Sequence, residues 1–491
     1  MTAIDLASKL QDPGLLSDKA LIAGRWVSAR NGATFNILDP ATGQKIAAVP
    51  DLGVDEVSQA IDAAHRAQRP WAKVTAKQRS FILRKLFDLV VSNVDDLATI
   101  LTAEMGKPLQ EARTEILYGA AYIEWFAEEA KRINGDVIPG HQEDKRILVL
   151  KRPVGVVGAI TPWNFPSAML ARKLAPALSV GCSLVAKPAA QTPLSALALG
   201  VLAERAGIPP GVLNVITSTD AAMVGATFCA NELVRKISFT GSTNVGRMLM
   251  RQGADQIKKL SLELGGNAPF IVFDDANVDD AVEGAIAAKF RNAGQTCVCA
   301  NRIYVQTGVY KEFSEKLARR VAGLKVGNGF AEGSEIGPLI DGNAVNKVKE
   351  HLENALSLGA SITVGGYSHE QGEQFFSPTV LIGVTSEMKV ACEETFGPLA
   401  PLFSFDTEEE VIQMANNTEF GLAGYFYSRD LSRIFRVAEE LETGMVGVNT
   451  GLISTEMAPF GGIKQSGLGR EGSKYGADDY VDIKYICLSL A

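Results

Sequence analysis

The chain reads as an α/β protein built from doubly wound parallel sheets, and three observations predict it. First, from Val154 onward short apolar runs alternate with helical stretches. The runs Val156–Ile160, Ser183–Lys187, 213–216 and 236–240 are separated by helical patterns at 168–179, 195–206 and Ala221–Ala230. Second, the same rhythm resumes after a strand at 259–264 and continues to Met445–Val448. Third, the carboxyl ends of the first strands carry polar, turn-forming segments: Thr161-Pro-Trp-Asn-Phe-Pro166, Lys187-Pro-Ala-Ala190 and Thr240-Gly-Ser-Thr243. Open parallel sheets bind ligands beyond those ends.

Taken in order, residues 1–50 are a lead-in with short strands at 21–27 and 35–49, the latter folded back at Pro40-Ala-Thr-Gly43. Between 54 and 132 apolar residues recur at helical spacing, as in Ala60, Ile61, Ala64 and Ala67. Asp55 and Asp95 stand near helix starts, where a carboxylate satisfies free N–H groups. This stretch reads as scaffold. Residues 146–151 are a β-branched and Leu-rich run with charges at both ends, suited to a strand that leaves the main body. Residues 480–490 look alike, with Val481, Ile483 and Tyr485 alternating with Asp482 and Lys484. Spacing leaves two pairings open for these strands: between subunits, burying an edge, or within one chain. Past 259–264 come a strand at 270–273, an Asp-rich turn and helix Val278–Phe290, which leads into Arg291-Asn-Ala-Gly-Gln-Thr-Cys297. Further strands are expected at 302–306, Ser361–Val364, 380–384, Leu399–Phe405, 424–428 and Met445–Val448, with helices at 309–324, 344–357, 408–415 and 431–441. There is no internal repeat.

At 491 residues the chain is long enough for two or three domains with real cores. Its net charge of −8, without a basic cluster, argues against a nucleic-acid partner. No apolar run reaches the length of a membrane span, and the first ten residues lack the apolar core of a signal peptide. The six cysteines are therefore expected to be reduced and the location cytoplasmic.

The chemistry centres on Cys297. A thiol attacks as its thiolate, and the Gly-Gln-Thr before it is turn chemistry that sets the sulfur on a loop against backbone donors. Cys299 follows two positions on. The other cysteines (Cys182, Cys229, Cys392, Cys487) and the four histidines (His65, His141, His351, His369) show no metal-ligand spacing with this pair, so no metal is expected. Gly241 and Ser242 precede a predicted helix, whose N-terminal N–H groups attract phosphate. No G-x-G-x-x-G follows the first strand, so the standard dinucleotide fingerprint is absent.

Six stretches together resemble the aldehyde dehydrogenase superfamily: Pro162-Trp-Asn-Phe-Pro166, Phe239-Thr-Gly-Ser242, Glu263-Leu-Gly-Gly266, Gly294-Gln-Thr-Cys297, Glu394-Thr-Phe-Gly-Pro398 and Pro459-Phe-Gly-Gly462. Within it, Phe290-Arg-Asn-Ala-Gly-Gln-Thr-Cys-Val-Cys299 and Gly451-Leu-Ile-Ser454 resemble the NADP-dependent succinate-semialdehyde dehydrogenases. The resemblance implies an aldehyde dehydrogenase-like fold of two doubly wound parallel-sheet domains plus a β-flap. It places a dinucleotide-binding domain at 1–133 and 154–263, a catalytic domain at 264–465, and an oligomerisation flap with C-terminal strand at 134–153 and 466–491. A homo-oligomer, dimer or tetramer, follows.

The resemblance also implies oxidation of an aldehyde through a cysteine thiohemiacetal and thioester. Cys297 is the implied nucleophile, Asn164 and the Cys297 N–H the oxyanion donors, and Glu263 the base for hydrolysis. Relatives that pass the acyl group to coenzyme A lack this Glu. Ile160, Thr161, Pro162, Trp163, Lys187, Ala189, Ala190, Gly241, Ser242, Leu264, Glu394 and Phe396 are implied along the dinucleotide. NAD-preferring relatives carry Glu where this chain has Ala190. A Glu there would repel a 2′-phosphate, so NADP is expected to be preferred, with NAD possible. Arg172, Arg291 and Ser454 match the subfamily's carboxylate site, and the Arg fork suits a carboxylate. The expected substrate is succinic semialdehyde, as in 4-aminobutyrate degradation. Glutarate semialdehyde, one methylene longer and formed in lysine degradation, stays open, as does an aldehyde dehydrogenase-like binding protein without turnover. Cys299 is either a redox partner of Cys297 or a packed thiol.

Overall fold

The first parallel sheet runs in the order Arg25–Val27, Ala20–Ile22, Leu213–Val215, Ser183–Lys187, Val156–Ile160, Val234–Thr240, Lys259–Glu263, Gly467–Leu468 in the computed structural model, which describes residues 5–490. Residues 1–4 and 491, the outermost of the spans 1–133 and 466–491, lie outside it, and with them part of the segment read for a signal peptide. The five central strands are parallel. Val156–Ile160 comes first in the chain, Ser183–Lys187 is laid on one side of it and Val234–Thr240 on the other. That reversal opens a crevice at the strands' carboxyl ends, where Thr161 and Thr240 emerge.

These strands form where near-continuous apolar runs let both faces be buried. Val156, Val157, Leu184, Val185, Val215 and Ile237 are all almost fully buried. Helix Pro166–Val180 covers one face and is buried along its whole length, Arg172 and Lys173 included. It begins two residues earlier than the periodicity suggested, because Pro166 fits the first helical turn, where no N–H is required. The stretch 54–132 resolves into helices Val54–Lys73, Ala76–Ser92, Val94–Met105 and Leu109–Glu129.

The second sheet has the order Ser361–Val364, Thr379–Ile382, Leu399–Phe405, Ala300–Gln306, Ala268–Val272, Ala423–Tyr427, Met445–Val448, parallel throughout except at its first edge. A third sheet of three antiparallel strands, Asp136–Ile138, Lys145–Pro153 and Val481–Ser489, stands apart, with Ile483, Tyr485 and Val137 well exposed. Its C-terminal strand pairs within the chain, from Val481 opposite Pro153 to Ser489 opposite Lys145.

Two expectations change. The single strand at 21–27 is a hairpin, broken where Ala23 and Gly24 take positive φ. The segment from 466 onward is not all flap. Gly467–Leu468 extends the first sheet, the Ser466 carbonyl accepts from Leu264 N (2.9 Å), and the Tyr480 hydroxyl meets Ser238 Oγ (3.1 Å). The alternation of apolar residues begins only at Val481, so the preceding loop-rich stretch carried no strand signal. No helix among the described residues is long and apolar enough to cross a membrane.

Candidate active site

Helix Val278–Phe290 ends in a tight turn in which Asn292, Ala293 and Gly294 all take left-handed φ, 55°, 55° and 75°. Gly294 is needed there, since a Cβ would lie 2.2 Å from the Gly397 carbonyl oxygen. The turn is held from several sides. Asn292 N donates to the Glu111 carboxylate, Asn292 Nδ2 to the carbonyls of Asn164 and Gln295, and Gln295 Nε2 to those of Asn292 and Pro338. It delivers Cys297, half-buried, to the wall of a cavity of about 750 Å³. Burial pushes the Cys297 thiol up to about 12, with Arg172 and Arg291 pulling the other way. Its main-chain N–H has no acceptor among the described residues.

Asn164, Glu263, Arg172, Arg291 and Ser454 line the same cavity. The Asn164 side chain donates one N–H to the Gln295 carbonyl (3.0 Å), which ties it to the Cys297 loop and leaves its second N–H for another acceptor. Glu263 ends strand Lys259–Glu263, opposite Thr240, and Glu263 Oε2 is buried without a partner. Burial, and then the Glu471 charge, push its carboxyl group well above the ordinary range.

The two arginines differ. Arg172 Nε lies 2.6 Å from Glu471 Oε2, its guanidinium stacks 3.9 Å from the Phe460 ring centre, and Lys173 Nζ reaches both Glu471 Oε1 and Thr240 Oγ1 at 2.6 Å. Burial alone would raise Glu471, but Arg172 and Lys173 hold it below the usual range. Arg172 is thus already matched. Arg291 lies over the Phe165 ring with no carboxylate within 4 Å among the described residues. It is an arginine of the cavity wall with charge to offer to an anionic substrate.

On the crevice side Pro162, Trp163, Gly241, Ser242, Leu264 and Glu394 line the cavity. So does Phe396, whose ring packs edge-on against Trp163. Ser242 caps helix Thr243–Ala254, and Glu394 accepts from Gly266 N (3.0 Å) while burial raises it to about 7. Ile160, Thr161, Lys187, Ala189 and Ala190 do not line the cavity; they lie at the ends of the neighbouring strands. Lys187 is 3% exposed, its ammonium has no hydrogen-bond or ion-pair partner among the described residues, and burial lowers it to about 8, against the pull of Asp51 and Asp220. A buried amine without a partner, an orphaned Thr161 hydroxyl nearby and a helix N-terminus fit a polyanionic nucleotide.

Cys299 does not share the cavity. It is buried, its sulfur lies 3.4 Å from both Lys289 Nζ and the Lys289 carbonyl oxygen, and both cysteines are free thiols. It is a packed thiol here, and pairing with Cys297 would require it to leave these contacts. No cluster of metal-ligating side chains occurs among the described residues.

The sequence profile of the aldehyde dehydrogenase family matches residues 26–486. The chain belongs to that family. A succinate-semialdehyde dehydrogenase [NADP(+)] of Escherichia coli (strain K12), GabD, is 61% identical over 98% of this chain and 100% of its own. A glutarate-semialdehyde dehydrogenase of Pseudomonas putida (strain KT2440) is 62% identical with the same coverage. A crystal structure titled as an E. coli NADP-dependent enzyme superposes with a TM-score of 0.97 at 61% identity, over 98% of this chain and 100% of that one. This aldehyde dehydrogenase therefore has the expected fold of two parallel-sheet domains.

Sequence reading missed the buried charges behind the lining. Lys173 and Glu471 are among them; Lys107, just before helix Leu109–Glu129, and Glu111 and Glu115 on it were missed as well, although they reach the cavity wall. A signal existed: Glu111, Glu115 and Tyr118 recur at four- and three-residue spacing on one helix face, and Arg172-Lys173 interrupts an otherwise apolar helix. Replacing Glu471 by Gln leaves Arg172 and Lys173 buried without their shared counter-charge. Breaking such a pair costs about 3–5 kcal/mol, so the urea midpoint should fall; an unchanged midpoint would mean the cluster adds no net stability.

Proposed function

We propose that this aldehyde dehydrogenase oxidises succinic semialdehyde to succinate with NADP as acceptor. One observation carries the reading: a single cavity holds a thiol, a buried carboxyl group without a partner and an arginine without a counter-ion. Burial keeps Cys297 protonated until a base takes the proton, and Glu263 is the acceptor at hand. The thiolate adds to the aldehyde carbon. The free N–H of Asn164 and the Cys297 N–H meet the oxyanion, and one such donor is worth about 3–4 kcal/mol. A dinucleotide bound there would supply the acceptor for the hydride that leaves that carbon. Lys187, Ser242 and Glu394 would hold it. Glu263, having passed the thiol proton on to solvent, then takes a proton from water, which attacks the Cys297 thioester and releases the acid and the thiol.

Arg291, with Ser454, clamps the substrate's far carboxylate, and Arg172 stands behind them. The identity of the Pseudomonas relative favours glutarate semialdehyde as a second reading, since one methylene separates the two acids by only about 1–3 kcal/mol. We infer a cytoplasmic homo-oligomer joined through the flap.

The test is a kcat/KM panel over aldehyde length, with and without a terminal carboxylate, using both cofactors. Succinic semialdehyde with NADP should lead. Arg291→Ala should raise KM for the semialdehyde acid by about 10–100-fold, the worth of a hydrogen bond to a charged group, and leave propanal unchanged. Equal losses would remove the clamp. Ala190→Glu should shift the NADP-to-NAD preference toward NAD by about 1–4 kcal/mol; an unmoved preference would contradict the role of position 190. Glu263→Gln removes the base for both proton transfers, so pre-steady-state formation of reduced cofactor should slow and steady-state turnover should be lost; turnover at the wild-type rate would contradict the role. In the wild type kcat should rise with pH above the ordinary glutamate range, since the base form appears only above the raised pKa.

A further inference from the structure

We propose that Lys107, paired with Glu115, is the positioning residue for Asn164 in this reaction. The proposal rests on the oxyanion role assigned to Asn164 above. Lys107 is 1% exposed and follows Gly106, which takes φ 90° and packs against Pro338 and Pro40. An ammonium has three donors. Lys107 Nζ donates to Glu115 Oε2 (2.6 Å) and to the Asn164 carbonyl oxygen (2.7 Å), and lies 3.8 Å from the centre of the Phe165 ring.

Glu115 completes the hold from the other side. Its Oε1 accepts from Ser167 N (3.0 Å) and Ala168 N (3.2 Å), the first turn of helix Pro166–Val180. One buried ion pair thus grips the chain on both sides of Phe165. The Asn164 carbonyl also accepts from Asn292 Nδ2 (3.1 Å), and the Asn164 side chain donates to Gln295. Main chain and side chain of Asn164 are therefore fixed to the turn that delivers Cys297, and Lys107 is the charged anchor of that arrangement. Lys107 touches no reacting atom in this scheme. Its contribution is to aim the second amide N–H of Asn164.

A buried ion pair is a weak source of net stability, and apolar replacement of both partners is often neutral. This separates positioning from folding. In the double variant Lys107→Met with Glu115→Gln, whose amide oxygen can still accept from Ser167 N and Ala168 N, kcat for succinic semialdehyde should fall roughly a hundredfold, the scale of an ångström's misplacement of a catalytic group. KM and the melting temperature should hold. Alkylation of Cys297 by iodoacetamide, a displacement that develops no oxyanion, should keep its wild-type rate. Adding Asn164→Ala to the double variant should cost nothing beyond Asn164→Ala alone, because the anchor acts only through that side chain. An unchanged kcat overturns the proposal, as do additive losses, or a parallel fall in alkylation rate and melting temperature. If Asn164→Ala by itself turns over at the wild-type rate, the oxyanion assignment beneath the proposal fails, and the proposal with it.

Discussion

The structure depends on one strained turn. Three consecutive residues before Cys297 take left-handed backbone, and for Ala293 that conformation costs about 1–2 kcal/mol. Such a turn persists only when its surroundings over-determine it. Here they do. Glu111 comes from one helix, Asn164 from the end of a strand in the first sheet, and Pro338 and Ile340 from the second domain's loops, and all bond to Asn292 or Gln295. Helix Leu109–Glu129, the loop after Val156–Ile160 and the loop at 338–340 together hold the turn that delivers the Cys297 sulfur. A change at any of these contacts reaches the sulfur through the backbone.

A second consequence follows from burial. Desolvation penalises whichever form of a group is charged, so burial raises Cys297, Glu263 and Glu394 around the cavity and lowers Lys187 outside it. The same physics that makes the thiol reluctant to ionise makes Glu263 ready to take a proton. Arg172 and Arg291 favour the thiolate, and Glu471 keeps Arg172 from serving as a free counter-ion. A substrate bringing its own negative charge to this cavity meets Arg291, which has no carboxylate within 4 Å among the described residues, and Lys347, whose ammonium donates to the Glu394 carbonyl.

Much of this was legible in the chain. The parallel sheets followed from apolar runs bounded by turns, because central strands with two buried faces read as continuous hydrophobic segments. Cys297, Glu263 and Asn164 were legible through motifs that resemble the aldehyde dehydrogenase family, and the structure brings them to one cavity. What was not legible was the partnering of charges. Arg172 and Arg291 look alike in sequence, yet one is matched by Glu471, some 300 positions on, and the other is not. Long-range pairing leaves no periodic trace. Cys299, adjacent in sequence to the reactive position, faces Lys289 instead, because the turn at Thr296–Cys299 points the two sulfurs into different surroundings. The hairpin at Ala20–Val27 was hidden for a smaller reason: a non-Gly residue, Ala23, starts the reversal.

The most direct test asks whether Cys297 carries the substrate. Enzyme mixed with succinic semialdehyde and NADP, quenched in acid within a turnover and digested, should yield the Cys297 peptide heavier by one succinyl group, and the Cys297→Ala protein should yield no adduct and no reduced cofactor. Turnover by Cys297→Ala at the wild-type rate, or an acyl group found on another side chain, would contradict the account.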